Sequence, residues 1–349
     1  MKPFLLVIIS FAFLFGCSEG DKRTISLQGV WKFQIDSLDQ GIEQKWFQAD
    51  LSDTIKLPGS MMEHHKGKPV TINTKWTGSI FDSSWYSHPR LVKYRQPDPK
   101  FAFWLTPPVY YLGAAWYQKE ISIPGHWEDQ RIVLHLERPH TESRVWIDAI
   151  EIGMQNSLVA PHEYDLTGKI SPGKHIISVR IDNRIKEINV GMDSHSVTDH
   201  TQGNWNGIIG KLELRAEPKV WIDDIQIYPD VERKVAKIKI TLKNRTEKPV
   251  SGELSFRAKA FNTSSDHVAA TLKTPFTAGI NETLLEVQYA MGDGMLTWDE
   301  FDPALYMLTT SLESPEGGHQ KEVQFGMREF LTNGTRFEVN GRPVFLRGN

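Results

Sequence analysis

The sequence predicts an all-β protein built from two successive β-sandwiches, and three observations carry that prediction. Apolar residues recur with period two over short runs: Trp31, Phe33 and Ile35 fall on one face of a strand and Lys32, Gln34 and Asp36 on the other. The runs are punctuated by turn-forming groups such as Pro124-Gly125, Ser171-Pro172-Gly173 and Asp182-Asn183. No long stretch places apolar residues at i, i+3, i+4 and i+7, which argues against a helical bundle or a doubly wound sheet.

At 349 residues, with 40% hydrophobic and 24% charged residues, the chain is long enough for two or three domains with real cores. A formal net charge of −3 provides no basic stripe to track phosphates, so nucleic acid is excluded as an expected partner. There is no internal repeat at a fixed period and no low-complexity run.

The elements follow in order. Lys2 precedes an apolar run from Phe4 to Phe15, too short to span a bilayer as a mature helix but suited to a signal-peptide core. After Gly29, period-two strands recur at Ile132-Leu134-Leu136, Val145-Ile147 and Ile177-Val179-Ile181. Past Pro218 a second set begins: Val220-Ile222, Ile225-Ile227, Ile238-Ile240-Leu242 alternating with lysines and threonine, Leu254-Phe256-Ala258 and Leu285-Val287-Tyr289. Strand signals at short spacing over about 110 residues indicate an immunoglobulin-like sandwich. Near the end, Asn340-Gly341 is a two-residue hairpin signal, because both positions tolerate the φ > 0 that a type I′ turn requires. The apolar run Val344-Phe345-Leu346 after it reads as a buried strand.

Several stretches resemble glycoside hydrolase family 2, which contains bacterial β-galactosidases, β-glucuronidases and β-mannosidases. They are Gly113 to Lys119 with Ile123-Pro124, Gly203 to Leu214, Trp298-Asp299 with Asp302 to Leu308, and Phe325 to Arg328 with Phe337 to Gly348. The first two look like markers of the family's jelly-roll sugar-binding domain, and the third like the end of its immunoglobulin-like domain. The last resembles the segment leading into the first strand of a catalytic (β/α)₈ barrel of about 250 residues. The resemblance implies four parts: residues 1–21 a lipoprotein signal and tether, 22–217 the jelly roll, 218–327 the immunoglobulin-like sandwich, and 328–349 the start of a truncated barrel. Leu14-Phe15-Gly16-Cys17 resembles the lipobox of bacterial lipoproteins, so Cys17, the only cysteine, is the expected lipidation site and the cell envelope the expected location. With one cysteine no internal disulfide is possible.

The implied chemistry is retaining hydrolysis of β-linked sugars by two glutamates, acid/base and nucleophile, both beyond Asn349. Within the chain no catalytic residue, metal site or cofactor is expected: the histidines, including His64-His65 and His195 with His200, lack zinc-like partners, and no phosphate loop or nucleophile elbow is present. The polar loop Asp193 to Asn206 is the expected contribution to a sugar subsite, through Asp199, His200, Gln202 and Asn204. The family's acidic residue would fall near Thr201, with Asp199 the nearest carboxylate, which counts against galactose specificity. A capped surface turn is the alternative for this loop. The aromatic stretch from Trp76 to Tyr117 is expected to pack its own small core rather than present rings to sugars. The expected partner is therefore carbohydrate, with membrane contact only through a lipid anchor. A stand-alone carbohydrate-binding lipoprotein, or a structural protein of stacked sandwiches, are the other readings.

Overall fold

The computed structural model describes residues 23–71, 74–77, 89–90, 107–186 and 203–346. It is all-β and separates into two compact units. One contains most of the chain up to Arg215, and the other Ala216 onward together with 129–133 and 165–168.

The first sandwich has a six-stranded antiparallel sheet in the order Ile150–Asn156, Glu142–Ile147, Gly173–Asp182, Ala114–Ile123, Gly29–Asp36, Asp53–Leu57. Its second sheet runs Thr24–Ser26, Gly207–Glu217, Arg131–Pro139, His162–Asp165, with Gly59–Ser60 also on Gly207–Glu217. The period-two reading holds here. Trp31, Phe33, Leu134, Leu136, Val145, Ile147, Ile177, Val179 and Ile181 are all buried, and Phe33 meets Tyr117 edge-on at 5.2 Å. Polar bonds also cross between the sheets: Ser143 Oγ lies 2.6 Å from both His162 Nδ1 and the Tyr164 hydroxyl.

The polar face of the Gly29–Asp36 strand, expected to meet water, is partly covered. Residues after Asp36 fold back so that Ile42, Trp46, Phe47 and Leu51 pack on Trp116 and Trp146, with Phe47 and Trp146 parallel at 5.3 Å. Asp36 makes this turn. Its carboxylate accepts the backbone N–H groups of Gln40 and Gly41 and the Trp116 indole N–H at 2.8–2.9 Å, so it is buried without an unsatisfied oxygen. Gly41 is required for space, since a Cβ there would lie 2.3 Å from Trp116 Nε1.

The second sandwich pairs a three-stranded sheet (Val220–Asp230, Val235–Asn244, Asn281–Ala290) with a four-stranded one (Leu272–Ala278, Val250–Phe261, Leu305–Ser314, Gly317–Phe325). One apolar core, including Ile238, Ile240, Leu242, Leu254, Phe256, Tyr306 and Leu308, is drawn from both. Val220-Ile222 and Ile225-Ile227, expected as separate strands, are one strand with a bulge between Ile222 and Asp224. The bulge shifts the alternation, which is why the pattern looked broken. The Trp298–Pro303 turn is fixed by Asp299, whose carboxylate accepts the N–H groups of Phe301 and Asp302, each at 2.9 Å. The strand after it, Leu305–Ser314, lies between Val250–Phe261 and Gly317–Phe325, and the latter takes the edge.

Residues 330–344 form a three-stranded meander, Phe330–Asn333, Arg336–Val339 and Arg342–Val344. Asn340 and Gly341 make its second turn with φ of 50° and 74°, as the sequence indicates. The Asn340 side chain also donates to the Trp298 carbonyl at 3.0 Å and accepts the Glu329 N–H at 2.8 Å. The expected buried strand at Val344-Phe345-Leu346 is not what forms. Phe345 and Leu346 are 93% and 69% exposed and lie past the end of the strand Arg342–Val344.

Candidate functional site

The best-defined polar assembly lies in the first sandwich, where strand Gly173–Asp182 ends and strand Gly207–Glu217 begins. The two strand ends flank residues 187–202, which contain most of the predicted sugar-contacting group. Asp199, His200 and Gln202 lie outside the described residues, as does Cys17.

Three buried asparagines hold these strand ends. Asn206 accepts the Tyr117 hydroxyl at 2.8 Å and donates to the carbonyls of Gly113 and Ile181 at 3.0 and 3.1 Å. Asn183 accepts the Gly113 N–H at 2.8 Å and donates to the Tyr111 carbonyl at 2.8 Å and to Asn204 Oδ1 at 2.9 Å. Asn204, the one predicted contact residue that is described, is 1% exposed. Its amide donates to the Asn183 carbonyl at 2.9 Å and to Thr77 Oγ1 at 3.1 Å. An amide has two donors and one acceptor oxygen, and here both ends are committed to protein groups. Asn204 therefore shapes this region from beneath rather than presenting its amide to solvent. Trp205, between two of the asparagines, stacks on His140 at 4.5 Å.

Beside the amide cluster lies an ion network. Arg180, 3% exposed, bonds Asp39 at 2.5 Å, Asp182 at 3.0 Å and Glu142 at 3.2 Å. Arg184 and Lys186 reach the same Asp182 at 2.6 and 2.9 Å. Arg184 also pairs with Asp39, and Lys186 with Glu142. Acids and bases balance within the network, the condition under which buried charge is tolerated. Burial of Asp182 opposes ionisation, but hydrogen bonds from Arg184 and Lys186 outweigh it and hold its carboxyl far below the usual carboxylate range. Asp39 is lowered by the same balance, with Arg184 and Arg180 overcoming its desolvation.

The network escaped the sequence reading, although a signal was present. Arg180 and Asp182 alternate with Val179 and Ile181 in an otherwise apolar run, and two opposite charges on the covered face of a strand imply a buried pair. Of the aromatic residues in the stretch only those at its ends are described, where Trp76, Tyr110, Trp116 and Tyr117 are buried and Trp76 packs on Tyr110 at 4.9 Å. Among the described residues no group of His, Cys, Asp and Glu is arranged to hold a metal ion. What this assembly can do is hold backbone in one geometry. Its carboxylates Asp39, Glu142 and Asp182 are each paired with arginine or lysine.

Residues 81–218 match the family model for the glycosyl hydrolases family 2 sugar binding domain, and residues 220–328 the model for glycosyl hydrolases family 2. A β-galactosidase large subunit from Leuconostoc lactis is 25% identical over 346 residues, 94% of this chain and 50% of that protein. A β-glucuronidase from Paenibacillus borealis is 21% identical over 339 residues, 92% of this chain and 48% of that protein. Among solved structures, a β-glucuronidase from Ruminococcus gnavus in complex with D-glucuronic acid shares the fold with a TM-score of 0.59 at 18% identity, over 93% of this chain and 49% of that one. The chain thus spans about half the length of these relatives. It belongs to glycoside hydrolase family 2 and corresponds to the amino-terminal part of that family's chains, a sugar-binding domain followed in sequence by an immunoglobulin-like one.

Proposed function

We propose that this chain is the non-catalytic amino-terminal region of an exported glycosidase that hydrolyses O-glycosidic bonds of β-linked sugars. The observation that carries this reading is the back-to-back match of two family 2 models in a chain whose glycosidase relatives are about twice as long. In this reading residues 22–217 form the sugar-binding jelly roll, 218–327 the immunoglobulin-like domain and 328–349 the approach to a catalytic barrel. The acid/base and nucleophile glutamates of a retaining mechanism lie beyond Asn349. Cys17, acylated after signal cleavage, tethers the protein to the bacterial envelope.

The part played by the first sandwich is to complete a sugar subsite. Asp199, His200 and Gln202 supply hydroxyl-reading groups, and the Asn183, Asn204 and Asn206 cluster fixes the two strand ends from which they extend. Asp199 is the principal contact, because an ionised carboxylate accepts strong hydrogen bonds from sugar hydroxyls.

The test has two arms. The 349-residue chain by itself should not turn over aryl glycosides above background, since this reading puts both the leaving-group acid and the nucleophile beyond Asn349; measured turnover in a clean preparation would sink the reading. In a full-length enzyme, Asp199→Asn should lower kcat/KM by the equivalent of about 1.5–3 kcal/mol with an unchanged melting temperature. Unchanged kinetics would make Asp199 a turn residue.

A further inference from the structure

A groove of about 560 Å³ runs along the first sandwich between Thr24–Leu27 and Lys119–Ser122, with Pro124 and His126 also lining it. Both of its long walls are strand edges without a partner among the described residues. Thr24–Ser26 is the last strand of its sheet and pairs only with Gly207–Glu217. The Ala114–Ile123 strand keeps its Gly173–Asp182 neighbour along its whole length. On its other side, pairing with Gly29–Asp36 stops at the Lys32–Gln118 position. One edge of residues 119–123 is thus left open. Open edges present rows of unpaired N–H and C=O groups and act as templates for an added strand.

The groove also holds a cation with no counter-ion among the described residues. Lys119 is half-buried, its Nζ donates to the Val30 carbonyl at 3.1 Å, and it lies 5.7 Å from the centre of the Trp31 ring. Among the described residues no carboxylate is within salt-bridge reach of it. The adjacent Glu120 is engaged by Lys174 at 3.0 Å. Burial lowers the lysine's pKa, as it does for a cation that nothing neutralises.

We propose that this groove binds an extended acidic peptide, which adds to an open strand edge through main-chain hydrogen bonds and sets one carboxylate against Lys119. A peptide fits better than a saccharide. Sugars are gripped by stacking on exposed ring faces, whereas Trp31 is 1% exposed. The open edges, by contrast, repeat donors and acceptors at the period of a peptide strand.

The probe is a fluorescently labelled, capped peptide of alternating threonine and glutamate, titrated into the 349-residue chain at low salt and followed by anisotropy. Saturable binding is expected, weakened by added salt. Lys119→Met should weaken it about tenfold or more while Lys119→Arg retains it, the loss of one charged hydrogen bond. Hydrogen exchange on the wild-type chain provides a measurement that needs no variant: peptide should slow exchange of amides in Thr24–Ser26 or Lys119–Ile123. Absence of that protection, equal binding of a threonine–lysine peptide, or full affinity in Lys119→Met would each overturn the proposal. So would Lys119-dependent binding of oligogalacturonate in place of the peptide, which would make the site one for acidic saccharides.

Discussion

Among its described residues the second sandwich buries apolar side chains almost throughout, with only Asn244 and Thr310 as polar exceptions, whereas the first buries Asp36, Glu142, Arg180, Asp182, Asn183, Asn204 and Asn206. Both are antiparallel sandwiches made by the same period-two patterning, so the difference does not come from fold. An apolar core tolerates exchange of one hydrocarbon for another of similar volume. A buried amide or ion network is satisfied in one arrangement only, and a partial arrangement is worse than none. The first sandwich therefore concentrates geometric specificity around the ends of two strands, while the second has the character of a scaffold.

The strongest way to break this comparison is to remove a central charge. Asp182→Ala strips partners from Arg180, Arg184 and Lys186, and should destabilise the chain by about 3–5 kcal/mol in urea unfolding, the cost of stranding buried charge. Because the Asp182 carboxyl is held well below its ordinary pKa, its contribution is present above the unfolded carboxylate pKa and is lost as pH falls through the folded one. As a contrast, Lys243→Ala removes an exposed pair with Glu282 in the second sandwich and should leave the unfolding curve unmoved. If the two substitutions behaved alike, the network would be ornamental.

Asn206→Ala should have the next largest effect. It removes the partner of the Tyr117 hydroxyl and one donor from each of the carbonyls of Gly113 and Ile181, with an expected loss of about 2 kcal/mol. The same measurement on Asn206→Asp sharpens the point, because a carboxylate can still accept from Tyr117 but cannot donate to the two carbonyls.

How much of this was legible depended on which face of a strand carried the information. Inner faces were readable, because Phe33, Val179, Ile240 and Phe256 follow the period of two that burial imposes. Outer faces were not: Gln34 and Asp36 look like solvent-side residues until the chain folds back and Trp116 and Trp146 acquire a cover from Phe47. That cover is a non-local packing event with no local period. Asn204 was singled out from the sequence as a group that reads ligand hydroxyls, yet its amide is consumed by Asn183 and Thr77. Thr77 is 127 residues away in the chain, a separation that sequence spacing cannot announce. The hairpin at Asn340-Gly341 was legible because its cause is local backbone conformation.

A pH titration tests the polar contacts between the two sheets of the first sandwich. His162 is fully buried, its Nδ1 is 2.6 Å from Ser143 Oγ, and its Nε2 is 3.2 Å from the Ser157 carbonyl. With Nε2–H donating to that carbonyl, Nδ1 accepts from the serine, so the neutral ring satisfies both contacts. Burial depresses its pKa below the ordinary 6.5, against a smaller opposing effect of the Ser157 bond. A group with a depressed histidine pKa binds fewer protons folded than unfolded, so stability should be constant above about pH 6.5 and decline as pH falls below it. Melting temperatures from pH 8 to pH 5 should show that decline in the wild type and a shallower one in His162→Gln. Equal slopes would assign the pH dependence elsewhere.

The smallest effect expected has the opposite sign, and it comes from the second sandwich. Thr310 is fully buried on strand Leu305–Ser314 between Leu308 and Leu312, and its hydroxyl has no hydrogen-bond partner among the described residues. A buried hydroxyl without a partner has lost its bonds to water and received nothing in return. Valine has the same branched shape and the same χ1 preference in a strand, so it fits the site without repacking. Thr310→Val should therefore stabilise the chain by about 1 kcal/mol, read as a higher urea midpoint with an unchanged slope. The matched substitution in the first sandwich, Ser143→Ala, removes a hydroxyl that bonds both His162 and Tyr164 and should destabilise. Opposite signs for these two deletions are what an apolar scaffold beside a committed polar framework requires. If Thr310→Val destabilised as Ser143→Ala does, the second sandwich too would depend on its buried polar groups, and the distinction between the two would fail.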